Sequence, residues 1–393
     1  MKLRHCLHSA FAVAMLVWLN TPVFAQPEIT ISKDIDVFGW SKPIPVSFSG
    51  FSGEVDSVLK NDLIFMGVVS ASPDKAQYLV TGSNAGNVQG GVTEKFSKRV
   101  VLPVKGYAGG SLRRQAHALA DDIATALTGK AGIAQTRIAF KVEIGGGARE
   151  VYVADYDGHG AQAATHDGAN LSAPCWAGRS AIYYSSYKFG TPQIFYQNLT
   201  TGQRQAVTRF AGSCISPAVS PDGKKLAMIL SKSGSPDLYV SDLNGTNLKQ
   251  LTFTKEDESS PCWSPDSQTL CVVSRDSGKA QLYTVSAMGG AMRRISTAGV
   301  PNATEPDWSP DGKWLAFTTL MGGFQICLVK AGGGEAHVLV EGEDPTWAPN
   351  SRAIIFCKGR DHGKQLSLLD VPSKQVKDVA RILESNSDRK SVV

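Results

Sequence analysis

Residues 305–319 read EPDWSPDGKWLAFTT, and close variants of this stretch recur along the chain. SPAVSPDGKKLAMIL begins at Ser216, SPCWSPDSQTLCVVS at Ser260, DPTWAPNSRAIIFCK at Asp344 and APCWAGRSAIYYSSY at Ala173. The equivalent positions are Trp176, Val219, Trp263, Trp308 and Trp347, at steps of 43, 44, 45 and 39 residues. Within each copy, Ser-Pro-Asp-Gly is a compact turn. Pro presets φ, Asp suits the next position, and Gly accepts the left-handed one. Such a loop joins two antiparallel strands. A second element keeps the same beat: VYVAD at Val151, IFYQN at Ile194, LYVSD at Leu238, LYTVS at Leu282, ICLVK at Ile326 and LSLLD at Leu366. A period of roughly 40–45 residues with several short strands per unit is the signature of propeller blades.

The strands can be counted. The type exemplified by IAF occurs six times, at Ile138, Ile182, Leu226, Leu270, Leu315 and Ile354, and the LYV type also six times. The Pro-x-Trp type occurs only five times. Six blades of four strands need six, and the missing copy belongs to the first blade, whose TRIAF has no Pro-x-Trp before it. A closed ring avoids bare sheet edges, so the tail after Val379, ARILESNSDRKSVV, must supply the strand. RKSVV, from Arg389, could pair beside Thr136 to Phe140. It lacks the Pro and Trp of its counterparts, so weak closure or a three-stranded first blade is expected.

Ahead of the repeats the pattern changes. PIPVSFSG, AQYLVTGS and KRVVLPV read as strands, and GEVDSVLKNDLIFMG places Val55, Val58, Leu59 and Leu63 on one helical face. SLRRQAHALADDIATALTG reads as a helix capped by Ser111, striped by Leu112, Ala116, Leu119, Ile123 and Leu127, and ended by Gly129. The expected fold is therefore mainly β: a small α/β N-terminal domain over 26–132 and a six-bladed β-propeller, four strands per blade, over 133–393. No long linker separates them, so close packing is expected. At residues 1–25, Lys2 and Arg4 precede an apolar run from Ala10 to Leu19 and small residues before Ala25. The run is short for a ~20-residue membrane span. It reads as a secretory signal peptide cleaved after Ala25, leaving an exported chain without a membrane span.

The formal charge of +5 falls to +3 once Lys2 and Arg4 are removed, too weak and scattered to argue for nucleic acid. Six cysteines remain: Cys175, Cys214, Cys262, Cys271, Cys327 and Cys357. Export permits disulfides. However, none sits in a CxxC pair, and several occupy strand positions that are aliphatic in other blades. The pattern favours buried thiols acting as small hydrophobes over a disulfide set. No G-x-S-x-G nucleophile elbow occurs. His159, His166, His337 and His362 are scattered, with no HxH, HExxH or Cys/His zinc spacing. The Gly-rich runs at Gly145 and Gly332 and the GHG at Gly158 read as hairpin tips and turns, because no helix follows to cradle a phosphate. No catalytic residue, metal or cofactor is expected. Acids gather before the inner strands, at Glu256, Asp257 and Glu258 and at Glu341, Glu343 and Asp344. The alternatives there are a solvated loop and a partner surface around the channel mouth.

The signal peptide, the α/β segment, the junction AHALADDIATALTGKAGIAQTRIAF and the SPDG blades together resemble the TolB family of the Tol–Pal envelope system. YVADYDG and SPAVSPDGKKLAMILSKSGSPDLYVSDLNG add to the likeness. The resemblance implies a non-enzymatic, monomeric periplasmic protein. It would dock Pal, a peptidoglycan-associated outer-membrane lipoprotein, on the propeller mouth and engage the inner-membrane protein TolA through its mature N-terminus. The implied role is outer-membrane integrity and constriction at division. Carried onto this chain, the lipoprotein-binding positions would be Ser213, Cys214, Glu258, Ser259, Ser260, Thr304 and Glu305. The TolA-binding segment would be Gln26, Pro27, Glu28, Ile29, Thr30, Ile31, Ser32 and Lys33. Val219 departs from the blade Trp, and Ser213 and Cys214 stand where larger polar groups are expected. Two other classes remain open: the propeller of a prolyl-oligopeptidase-like hydrolase, and a ligand-binding propeller with an aromatic cluster at its mouth.

Overall fold

The structure is a computed structural model that describes residues 42–379, apart from 209, 361 and 362, together with 390–392. The expected signal peptide and the segment Gln26 to Lys33 lie outside the described residues.

The chain opens with a five-stranded sheet. Its strands are β1 (Ile44–Ser49), β2 (Val68–Ser70), β3 (Tyr78–Ser83), β4 (Gln89–Glu94) and β5 (Val100–Gly106), in the order β2-β1-β3-β4-β5. β1 pairs in parallel with β2 and β3, and β3-β4-β5 is an antiparallel meander. The sequence had not suggested β2 and β4. One is three residues long and the other carries Gly90 and Gly91, so neither shows a clear period. Helix α1 (Gly53–Ile64) buries Val55, Val58, Leu59 and Leu63, the face its spacing predicts. Helix α2 (Leu112–Thr128) starts where the Ser111 side chain accepts the Arg114 N–H at 3.2 Å and stops at Gly129, in the left-handed region at φ 71°. Its inward stripe is Ala116, Leu119 and Ile123. Leu112, expected in that stripe, is exposed because it sits in the first turn, before the helix reaches its neighbour.

Six antiparallel sheets then form the propeller. From the inside outward, the second blade is Leu171–Trp176, Ala181–Ser186, Gln193–Asn198 and Arg204–Ala206. Blades three to six repeat that order, with inner strands Cys214–Val219, Glu258–Trp263, Thr304–Trp308 and Glu343–Trp347. In the first blade the inner position is taken by Lys390–Val392, which pairs antiparallel with Arg137–Gly145, setting Lys390 opposite Phe140 and Val392 opposite Ile138. The first blade is thus four-stranded and not three-stranded. Its closing strand is three residues long, against five or six in the other blades.

The second strands are buried on both faces because neighbouring blades pack against each, so Lys225–Leu230 reads as a continuous apolar run. The SPDG turns adopt the expected conformation, with Gly223 and Gly312 at φ 68° and 74°. Where the Gly is replaced, Ser267 and Ser351 take the left-handed position at 61° and 54°. All six cysteines of the described chain are free thiols, and only Cys175 is partly open.

The α/β layer and the ring share one core. A single apolar cluster runs from Leu59, Leu119 and Ile123 of the helices through Ile133 to Ile138 and Tyr156 of the first blade and Ile355 of the sixth. The Asn350 amide donates to the Ala131 carbonyl at 3.2 Å. Strand direction puts all SPDG turns on one face of the ring, with the α/β layer packed there against blades six and one. The hairpins joining second to third strands lie on the opposite face, where every inner strand begins.

Candidate functional site

Inside the ring the inner strands surround a channel cavity of about 490 Å³, walled by their Pro and Trp residues and reaching the SPDG-type turns at Pro221, Pro265 and Pro310. Each of the five Pro-x-Trp strands carries the same distortion. The residue before Pro has a positive φ: Ala173 51°, Ser216 55°, Ser260 50°, Glu305 53° and Asp344 56°. At each of these points the pairing with the second strand slips by a bulge. A non-glycine residue in this region costs of order 1–3 kcal/mol, and such positions concentrate at functional sites. The bulge turns the chain so that the Trp returns to the pleat while the residue before Pro faces the cavity. The sequence signal for this feature was the dipeptide x-Pro two residues before Trp. Its residue types read as strand and give no sign of the positive φ at Ala173, Ser216, Ser260, Glu305 and Asp344.

Side chains stitch successive inner strands together. Cys175 Sγ accepts the Val219 N–H at 3.3 Å, and Asp307 Oδ2 accepts the Trp347 N–H at 2.6 Å. Cys262 faces the Trp308 N–H in the same manner. The residue preceding Trp in one blade therefore receives the backbone of the next. Ala218 has no acceptor side chain there. Trp263 compensates by donating its indole N–H to the Ala218 carbonyl at 2.9 Å. Burial pushes the Asp307 carboxyl up to about 7, against the pull of the Trp347 and Trp308 N–H groups.

The expected lipoprotein-binding residues divide on their surroundings. Ser259 is exposed, and Ser213, Ser260, Thr304 and Glu305 are half-buried around the mouth. Glu305 Oε2 accepts from Thr318 Oγ1 at 2.8 Å and from the Asp344 N–H at 2.9 Å, so its carboxylate braces the next blade's bulge. Cys214 is fully buried, with its sulfur 3.6 Å from Met228 Sδ, and it offers nothing to a partner. Glu258 is the main correction. Its carboxyl is 1% exposed and hydrogen-bonded by Thr252, Thr254 and Ser274, so it is not a surface charge. An acidic run marks a loop by composition, but the alternation of the strand it enters decides which acid points inward.

The rim was not legible in advance. The hairpins on the mouth face expose Ile144, Tyr187, Phe189, Leu320, Met321 and Phe324, and the link into the fourth blade exposes Phe253. Of the blade Trp residues expected in the core, Trp176, Trp263 and Trp347 are each at most 7% exposed, whereas Trp308 is half-buried. Among the described residues no three His, Cys, Asp or Glu side chains converge as metal ligands would. No helix among them is long and apolar enough to cross a membrane.

These features define a two-part propeller protein whose five strained inner strands line a central channel, with apolar hairpin tips exposed on the face away from the α/β layer. The chain belongs to the TolB beta propeller domain family, whose model matches residues 125–390. It is similar to the Tol-Pal system protein TolB of Nitrosomonas europaea, at 29% identity over 235 residues, 51% of this chain and 54% of that protein. The chain thus spans about half the length of the curated relative it matches. In fold it resembles the crystal structure of TolB from Acinetobacter baumannii, with a TM-score of 0.80 at 20% identity, over 90% of this chain and 97% of that one. A structure described as a putative TolB from Agrobacterium tumefaciens aligns with a TM-score of 0.51 at 19% identity, over 62% and 88%. A chain of the nidogen/laminin complex aligns with 0.55 at 12% identity, over 65% and 98%.

Proposed function

We propose that this chain is an exported, periplasmic, non-enzymatic component of a Tol–Pal system. It docks a Pal-like peptidoglycan-associated lipoprotein on the propeller mouth and a TolA-like inner-membrane protein through residues 26–33, and it serves outer-membrane integrity and constriction at division. Family membership and the relative named for the Tol–Pal system support the reading. The observation that carries it is the mouth itself. Five strained bulges line the channel just inside the face whose hairpins expose apolar side chains. Exposed apolar tips of this kind, at the first, second and fifth hairpins, support a partner surface. A standard interface of ~1,600 Å² with a few dominant residues would span the mouth and several hairpins.

Calorimetry of the purified mature chain with the soluble domain of the organism's Pal-like lipoprotein tests this. Ser259→Arg and Phe324→Asp change exposed positions and should each weaken binding at least tenfold with an unchanged circular dichroism spectrum. Unaltered affinity in both would remove the mouth from the interface. Deleting residues 26–33 should abolish binding to the TolA-like domain and leave lipoprotein binding intact. Loss of both would make the segment a structural strand.

A further inference from the structure

Six thiols are distributed over five blades, and only one pair stands directly opposed on neighbouring strands. Cys262 on the inner strand of the fourth blade is the register partner of Cys271 on the second strand. Elsewhere Cys175 faces Tyr183, Cys214 faces Leu230, Cys327 faces Phe317 and Val338, and Cys357 faces Glu343 and Leu366. Opposed residues of an antiparallel pair hold their Cα atoms about 4.5–5.5 Å apart, inside the roughly 4.4–6.8 Å a disulfide spans. Both side chains also point the same way, into the apolar layer between blades four and five. Their contact holds the Cys262 thiol well above its ordinary value, and burial adds to this.

We propose that Cys262 and Cys271 are an oxidation site, joined in the mature protein by a cross-strand disulfide that pins the inner strand just past its Ser260-Pro261 bulge. The oxidant is a disulfide, either of a protein oxidase or of glutathione. One cysteine thiolate attacks it, forming a mixed disulfide and releasing one thiol. The second thiolate then attacks the first cysteine's sulfur and expels the other thiol. Two electrons and two protons leave the pair, and the oxidant departs as two thiols. In the folded ring Cys262 is 7% and Cys271 0% exposed. Buried thiols with raised pKa values are poor nucleophiles. The bond therefore forms before the fourth blade packs on the fifth, while the hairpin is still open. The other four cysteines face no second cysteine in register and stay reduced. The cellular supply of oxidant rests on the proposed export to the periplasm, whereas the pairing itself does not.

The test uses a convenient accident of sequence: no Lys or Arg lies between Lys255 and Arg275, so one tryptic peptide carries both cysteines. Mature protein is unfolded, reduced, and refolded in a glutathione/glutathione disulfide buffer. It is then alkylated with N-ethylmaleimide under denaturing conditions without reductant. The expected result is that the 256–275 peptide escapes alkylation, is lighter by two hydrogens than its reduced form, and takes up two labels only after reduction. The peptides holding Cys175, Cys214, Cys327 and Cys357 should be labelled at once. A 256–275 peptide mostly labelled without reduction, or linked to another cysteine, overturns the proposal. In Cys271→Ser, Cys262 should become labelled while the circular dichroism spectrum is kept. Protein trapped directly from cells should match the refolded material. A pair linked on refolding but labelled when taken from cells would count against export and not against the pairing.

Discussion

His117 Nδ1 lies 2.7 Å from Asp62 Oδ2, joining the two helices of the α/β layer at a point where neither residue is more than 4% exposed. The other oxygen of Asp62 accepts the hydroxyl of Tyr156, which belongs to the first blade. One buried carboxylate thus ties both helices to the ring. Arg113 of α2 reaches the same junction and pairs with Asp157 and Glu54, and Lys377 of the sixth blade donates to Asn61. Burial opposes charge on His117, but the hydrogen bond and charge of Asp62 more than offset it, and the imidazole is held above its ordinary value.

His117→Ala should destabilise the protein by about 3–5 kcal/mol, because it leaves the Asp62 carboxyl, which burial already holds above its ordinary value, without its partner in the core. The sign of the pH effect follows from the raised value. The pair contributes fully below the unfolded His pKa of about 6.5. That contribution is lost as pH rises through the folded value. Urea-unfolding midpoints between pH 6 and pH 9 should fall for the native chain, and this component should vanish in His117→Gln.

Glu258 should respond to pH in a second way. Thr252 Oγ1 accepts the Leu238 N–H at 2.8 Å and lies 3.1 Å from Asp237 Oδ1 and 3.0 Å from Glu258 Oε2. A hydroxyl has one proton and cannot donate to both carboxylates. Burial pushes Glu258 up to about 7, so it carries the proton that completes the set. Its folded value is raised, so its stabilising contribution is whole below the unfolded pKa of about 4.3. It is lost as pH rises through about 7. Glu258→Gln, which keeps a donor, should flatten this slope and be more stable than the native chain at pH 8, by on the order of 1–3 kcal/mol at about 1.4 per pKa unit. Equal slopes in the two proteins would refute the protonated assignment.

Gly67 marks a close approach between the α/β layer and the ring. Its φ is +76°, and a Cβ there would lie 1.8 Å from Arg352 Nη2. That guanidinium makes bonds of 2.5 and 3.0 Å to the fully buried Asp370. Gly67→Ala should cost about 3 kcal/mol or more, combining a left-handed penalty with a broken buried pair. Gly86→Ala, at a positive φ with open space around it, should cost only about 1 kcal/mol. Similar losses in the two variants would show that the conformation, and not the ion pair, dominates.

The closing strand offers a direct test of the ring. Ending the chain at Ser385 removes the partner of Ile138 to Phe140. Hydrogen exchange at those amides should accelerate while blades three to five keep their protection. Unchanged exchange would mean that the tail does not hold the first blade. Unfolding of the whole propeller would mean that three residues matter more than their length suggests.

The repeat made the ring legible because Trp spacing and strand spacing were two independent clocks in phase, and each blade is a local hairpin unit. The cap at Ser111 and the stop at Gly129 were legible for the same reason: they are local rules. The mouth was read only in part. Ser259, Ser260, Thr304 and Glu305 came from the family resemblance, and the structure places them at or near the starts of inner strands. The inward turn of Glu258 and Cys214 depends on which face of a strand packs against a neighbouring blade, and the residue types do not encode it. The exposed tips at Phe189 and Phe324 were hidden by the opposite problem. An apolar residue near the end of an apolar strand looks like core until the hairpin is seen to project past it.

The closing strand also has a mechanical meaning. Five of the six inner strands are continuous with the second strand of their own blade through an SPDG-type turn, but Lys390–Val392 is joined to Arg137–Gly145 only by hydrogen bonds. The ring is therefore a split washer with its gap in the first blade. The short link from Gly129 to Thr136 feeds the α/β layer into the strand at the edge of that gap. A load pulling the α/β layer away from the ring would reach the three-residue seam before any covalently continuous blade, so the ring would part there first.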